Sequence, residues 1–203
     1  MLAADEVLET ERLVLRLLTM DDLDALAAIY GDPDVRRYFP EGTLTYEETK
    51  EELEWFIDVY YRRYGFGLWA TIDKATGEFI GRCGLIPWTI LPSTTGELVL
   101  GGTGDHPVGP EGSEVEIAYM LAKSHWGRGL ATEAATAIVA FGFEQLDLER
   151  LICLIDSENR ASLRVAEKIG MTLDGDVELD GERFPLYSRR RPGPNSRRRP
   201  RTE

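Results

Sequence analysis

A chain of 203 residues, 43% of them hydrophobic, has the length of one medium domain and enough apolar surface to bury a core. No apolar run approaches the length of a membrane-spanning helix, which excludes that class. A net charge of −13 disfavours nucleic acid and favours cationic partners such as amines or basic N-terminal peptides, although an acidic surface serves solubility equally well.

Met1–Glu11 is acidic and lacks the layout of a signal peptide, so a cytoplasmic location is expected. Leu13–Leu17 reads as a strand. Thr19 then caps a helix, with Asp22 placed as in a capping box and Leu23, Leu26, Ala27 and Tyr30 on one face, and Gly31-Asp32-Pro33 stops it. Thr45-Tyr46-Glu47-Glu48 is a second capping box, opening a long helix to about Tyr64 with Leu53, Phe56, Ile57 and Tyr60 at helical spacing. Phe66–Ile72 and Glu78–Pro87 are strands joined by a turn over Asp73–Gly77. Leu91–Ser113 reads as a long loop with a small hairpin at Glu97–Leu100, of the kind that tends to be functional or mobile. Glu114–Leu121 is the next strand, Leu130–Leu146 a helix, and Arg150–Ile155 a buried strand. Asn159–Ile169 is a short helix that Gly170 ends, and Val177–Leu179 with Phe184–Arg190 form a closing hairpin around Asp180-Gly181. Residues 1–190 read as one domain. Residues 189–203 hold seven arginines against one glutamate, and 191–203 read as an Arg/Pro-rich disordered tail. Cys83 and Cys153 lie in apolar extended runs and read as buried, reduced thiols.

One junction carries the most chemistry. Trp126-Gly127-Arg128-Gly129-Leu130-Ala131-Thr132-Glu133-Ala134 lies between a strand and a helix. Helix starts leave backbone N–H groups unpaired, with the positive end of the helix dipole behind them, which suits a phosphate or pyrophosphate. Gly127 and Gly129 allow close approach to the main chain, and Arg128 can add a charged clamp. The dinucleotide fingerprint fails because Thr132 stands where its third glycine belongs, and the P-loop pattern is absent. A plain glycine-rich turn is the alternative reading.

Trp126–Ala134 resembles the acyl-CoA pyrophosphate loop of the GNAT N-acetyltransferases, written [Q/R]-x-x-G-x-[G/A]. Arg128-Gly129-Leu130-Ala131 fit its last four positions, while Trp126 departs from the first, as in the RimJ/RimL branch. Downstream, Asn159-Arg160-Ala161-Ser162 followed by Glu167-Lys168-Ile169-Gly170-Met171 resembles the family's N-x-x-[AS] and E-K-x-G-[FM] signature. The resemblance covers roughly residues 8–190. It implies an α+β fold, with a mostly antiparallel, splayed central sheet of about seven strands flanked by about four helices.

The same resemblance implies acetyl-CoA as cosubstrate and direct attack by a primary amine, either a protein N-terminal amine or a small amine. The pyrophosphate would rest on Gly127, Arg128, Gly129, Leu130, Ala131 and Thr132. The pantetheine arm would pair with the strand edge at Tyr119, Met120 and Leu121, and Asn159 would bond the same arm unless it only caps its helix. A backbone N–H near Met120 or Leu121 would hold the developing oxyanion. An alkyl amine is mostly ammonium near neutrality and needs a base. Glu116 is the candidate, sharing a strand face with Glu114; the plain alternative is that both face solvent or bind the ammonium. His106 is a rival base, and His125 reads as a packing residue. The tyrosine acid of many GNATs falls at Ala166 and is therefore absent, so Ser162 is the replacement donor to the leaving thiolate, or simply a helix-surface residue. Phe39, Trp55, Trp69, Trp88 and the 91–113 loop are the acceptor-cleft candidates. No spacing suits a metal site, and no G-x-S-x-G elbow is present. Two readings compete with catalysis: an acyl-CoA-binding module without turnover, and an adaptor docking RNA or ribosome through the arginine tail. A homodimer is compatible with all three.

Overall fold

The structure, a computed structural model, describes residues 6–91, 98–101, 113–179 and 182–193. Among these residues nine strands form one mostly antiparallel sheet, in the expected α+β class though with more strands than the seven or so expected: β1 (Glu6–Glu9), β2 (Leu13–Leu17), β3 (Leu68–Asp73), β4 (Phe79–Leu91), β5 (Leu98–Gly101), β6 (Ser113–Leu121), β7 (Arg150–Leu154), β8 (Thr172–Leu179) and β9 (Glu182–Arg190). The helices are α1 (Leu23–Tyr30), α2 (Tyr46–Trp55), α3 (Tyr61–Tyr64), α4 (Leu130–Glu144) and α5 (Arg160–Lys168). The expected long helix to Tyr64 is interrupted by a π-helical turn at Phe56–Tyr60, which separates α2 from α3. Asp180, Gly181, and residues 92–97 and 102–112 with His106 lie outside the described residues.

Alternation along the central strands divides the molecule into three layers. On one face Leu15, Trp69, Cys83, Leu85 and Ile117 pack with Leu130, Ala134 and Ile138 of α4. On the other Leu68, Ala70 and Met120 pack with Leu26 and Tyr30 of α1 and Leu53 of α2. Burial on both faces explains why β3 reads as a nearly continuous apolar run.

The capping box at α2 is present. The Thr45 hydroxyl accepts the Glu48 N–H at 3.3 Å, and the Glu48 carboxylate accepts the Thr45 N–H at 2.8 Å. A Thr45→Ala substitution should cost about 1 kcal/mol and lower the melting temperature by about 2–4 °C, read by thermal denaturation.

β4 organises the sheet because it is long enough to take three partners. It pairs with β3 over its first half, with β6 along Gly81–Thr89, and with β5 at Thr89–Leu91. The expected hairpin at Glu97–Leu100 is instead this strand β5, which also pairs in parallel with Leu98–Leu100 opposite Val177–Leu179 of β8. β8 pairs with β9, β9 with β7, and β7 with β6. Strands β4, β5, β8, β9, β7 and β6 therefore close into a ring. Its weakest seam is β6–β7, parallel and registered at the single pair Glu116–Ile152. Beyond that pair the two strands diverge.

Candidate active site

The divergence of β6 and β7 opens a slot, and the strand register decides which backbone groups face it. The Ala122 N–H donates to Ile80 O, so bonded pairs across β4–β6 alternate from Ile80–Ala122 through Arg82–Met120 and Gly84–Ala118. Tyr119 and Leu121 consequently turn their N–H and C=O groups away from β4, toward the slot. Met120 spends its own on Arg82, which removes its main chain from the groups expected to pair with pantetheine or hold an oxyanion; its side chain is buried beneath α1 and α2. The indole of Trp126 donates to Leu121 O at 2.8 Å. That contact gives Trp126 a structural role at the position where the resembled loop pattern has Gln or Arg: it closes the end of β6.

At the end of the slot the glycine loop enters α4. Gly127 and Gly129 hold φ of 74° and 78°, left-handed values that favour glycine. A Cβ on Gly127 would meet no protein atom within 4 Å, so the main chain there is open to a ligand. The first intrahelical bond runs from Glu133 N–H to Gly129 O, which leaves the amides of Leu130, Ala131 and Thr132 ahead of the ladder at the positive end of the dipole. Arg128 turns its guanidinium to Asp73 at 3.3 Å, and Arg12 donates to Arg128 O at 2.9 Å. Glu133, which carried no role in the sequence reading, accepts Thr10 Oγ1 at 2.6 Å and the Arg12 N–H at 2.8 Å, pinning the loop to the β1–β2 turn.

Across the slot stands α5. Asn159 caps it, its Oδ1 accepting the Ser162 N–H at 3.1 Å, which is the plain reading of that residue; the amide nitrogen remains as its group for a ligand. Ser162 is half-buried, and its carbonyl accepts the Tyr119 hydroxyl at 3.1 Å. That phenol was not foreseen: it ties β6 to the start of α5, and burial raises its pKa. Ala166, where the resembled pattern places its tyrosine acid, is fully buried.

Glu116 sits where β6 and β7 part. Its carboxylate accepts Trp88 Nε1 at 2.7 Å and Leu154 N–H at 3.1 Å, standing in for the strand partner that Leu154 lacks. Burial pushes its pKa up to about 7, against the two hydrogen bonds, which favour the charged form. Glu114, on the same strand face, is bound by Arg150 at 2.5 Å. His125 is buried with its ring against Ser124 at 3.0 Å, as a packing residue. Of the aromatic cleft candidates, Trp88 alone touches Glu116. Trp69 is fully buried against Phe141 in the core, Phe39 packs on Arg36, and Trp55 is 40% exposed beside Tyr60. Cys83 and Cys153 are both free and buried, and Cys153 Sγ contacts Ile117 O inside the slot. Among the described residues no group of three or more His, Cys, Asp or Glu could hold a metal ion, and no helix is long and apolar enough to cross a membrane.

Comparison with known proteins identifies the family. A family model described as "Acetyltransferase (GNAT) domain" matches residues 12–172. Protein YkkB of Bacillus subtilis is 35% identical over 186 residues, 90% of this chain and 95% of its own. A solved acetyltransferase from Agrobacterium tumefaciens is 30% identical, covering 91% of this chain and 94% of that one with a TM-score of 0.69. RimL, a ribosomal L7/L12 alpha-N-protein acetyltransferase solved with coenzyme A, shares the fold at 18% identity and a TM-score of 0.64, covering 89% and 95%. With a slot in the sheet, a glycine loop opening its main helix and a family match across most of its length, the chain belongs to the GNAT acetyltransferases, a family of acetyl-CoA-dependent N-acyltransferases.

Proposed function

We propose that the chain moves the acetyl group of acetyl-CoA to a primary amine by direct attack, with Glu116 as general base. The observation that carries this reading is a buried carboxyl poised near neutrality at the point where the sheet opens. The slot fits the cosubstrate. Tyr119 and Leu121 offer strand-edge groups to an amide-bearing arm, and the amides of Gly127–Thr132 suit its pyrophosphate.

Glu116 accepts the proton that the bound ammonium loses, directly or through a water. The freed nitrogen lone pair forms the new N–C bond at the thioester carbonyl carbon, the C–S bond breaks, sulfur leaves with the electron pair, and the second proton shed by nitrogen ends on that sulfur, relayed by the Ser162 hydroxyl or a water. The N–H groups of Tyr119 and Leu121 face the slot, where they can donate to the carbonyl oxygen as it gains charge. The Ser162 hydroxyl at the start of α5 donates to the departing sulfur, held in place by the Tyr119 bond to its carbonyl. Ser162→Ala should lower kcat by about tenfold with little change in KM for acetyl-CoA, since the lost bond matters only as charge develops on sulfur.

The test is release of free thiol from acetyl-CoA across a panel of small amines and N-terminal peptides. The likeness to RimL puts protein N-termini in that panel. Direct attack predicts sequential initial-rate patterns. A ping-pong pattern would mean an acyl-enzyme and would overturn the mechanism.

A further inference from the structure

The surroundings of Glu116 say what kind of amine can reach it. This inference rests on the transferase reading above and adds the substrate class. Any acceptor must bring its nitrogen to the Glu116 carboxylate, so the group carried on that nitrogen has to lie against whatever surrounds it. What surrounds it is the inside of the strand ring. Register places Trp88 opposite Glu114, Ile152 opposite Glu116, Leu186 opposite Leu154, and Phe184 opposite Val177, all on one face. Ile152, Val177 and Leu186 fill the ring interior at 0–3% exposure. Trp88, Ile90, Leu154, Leu179 and Phe184 pack around them yet remain only partly buried. Trp88 and Leu154, whose indole and main-chain N–H bond the Glu116 carboxylate, thus keep open surface beside it, and Ile90, Leu179 and Phe184 extend the same apolar cluster along the ring. Ligand sites have this composition: apolar walls with one or two placed polar groups.

The charges of the same face point the same way. Glu114 and Asp174 share Arg150, at 2.5 and 2.6 Å, and Asp174 also takes the Ser188 hydroxyl at 2.8 Å. Toward the helices, Arg82 is 5% exposed on the Glu116 face of β4, bonded to the Tyr30 hydroxyl and 4.0 Å from Glu52. Glu114 and Asp174 share the single guanidinium of Arg150, and Glu52 faces Arg82. A second ammonium, as a polyamine carries, would meet the buried Arg82 guanidinium on the Glu116 face, a like charge that burial makes costly. Among the described residues, exposed acids cluster on α2, at Glu47, Glu51 and Glu54.

We propose that the acceptor is a monoamine with an apolar, preferably aromatic body, and that the rim formed by Trp88, Leu154, Leu179 and Phe184 selects it. The test uses the full chain, acetyl-CoA and four acceptors: phenethylamine, ethylamine, putrescine and spermidine. Phenethylamine should exceed both polyamines in kcat/KM by about tenfold or more. Phe184→Ala should shrink the phenethylamine-to-ethylamine ratio about tenfold, whereas a folding defect lowers both rates together and leaves the ratio unchanged. Phe184→Glu, which adds a carboxylate to the apolar rim, should move preference toward putrescine. Polyamine preference in the wild-type chain, or an unchanged ratio in a Phe184→Ala protein that melts cooperatively, overturns the inference and leaves the transferase reading standing. Absence of thiol release with every amine overturns both.

Discussion

Glu116→Gln is expected to lower kcat by about two to three orders of magnitude while coenzyme A binding survives, because a general base contributes on that scale and the cofactor loop lies elsewhere on the chain. The pH dependence makes the result diagnostic. Burial holds the wild-type carboxyl at about 7, so the base form fills as pH rises through 7. The wild-type rate should climb about tenfold per unit below that point and level off above it; the variant should lose this limb. A limb retained in Glu116→Gln would assign the titration to another group. Stability should move the other way. The folded pKa lies above the ordinary carboxylate value, so the folded state binds more protons between about 4.5 and 7. That contribution is complete at low pH and is lost as pH rises through 7, when a charged carboxylate must stay buried. Relative to Glu116→Gln, the wild-type chain should therefore weaken by roughly 1–3 kcal/mol between pH 5 and pH 8, read by denaturant unfolding at the two pH values. A site that costs stability in the pH range where it is active is the signature of a group kept for chemistry.

Alanine at Gly127 or Gly129 should weaken coenzyme A binding by about tenfold each, and by more in the double variant, measured by calorimetric titration. Two effects add. Both residues have left-handed φ, and an alanine there costs about 1–2 kcal/mol, so the loop tends to leave the shape that aims its amides at one point. The added methyl also enters the space above the loop. At Gly127 it meets no protein atom within 4 Å, so whatever it displaces comes from outside the chain. Melting should fall by only about 2–4 °C per kcal/mol of strain, which separates a lost ligand from a lost fold. Unchanged affinity in both variants would mean that the pyrophosphate rests elsewhere.

Local rules made much of the molecule legible. The capping box at Thr45, the left-handed glycines beside Arg128 and the cap at Asn159 involve residues a few positions apart, so their chemistry is written in short stretches of chain. Glu116 stood out as a candidate base because a paired-glutamate strand face near the glycine loop is a local pattern as well. The errors have a common cause. Trp69 and Trp88 look alike in sequence, yet the first is core and the second holds the Glu116 carboxylate, a difference set by which sheet face each occupies. Glu133 looked like an ordinary helix residue until its partners Thr10 and Arg12 arrived from more than a hundred positions away. β1 and β5 were missed or misread because strands of four residues carry almost no periodicity of their own; pairing with a distant neighbour makes them strands.

The amino-acid sequence alone determined where the helices begin, the glycine loop and the family, since backbone conformation and hydrophobic period depend on near neighbours. Only the tertiary structure decided what surrounds the Glu116 carboxyl. The single parallel pair that opens β6 from β7, the closure of β5 onto β8, and the neutralising contact of Arg150 with Glu114 join residues dozens of positions apart. An acidic composition suggested a site made for cations. The folded chain places most of that charge on its surface or against arginines, and leaves one glutamate among apolar walls, because burial penalises every charge that finds no partner.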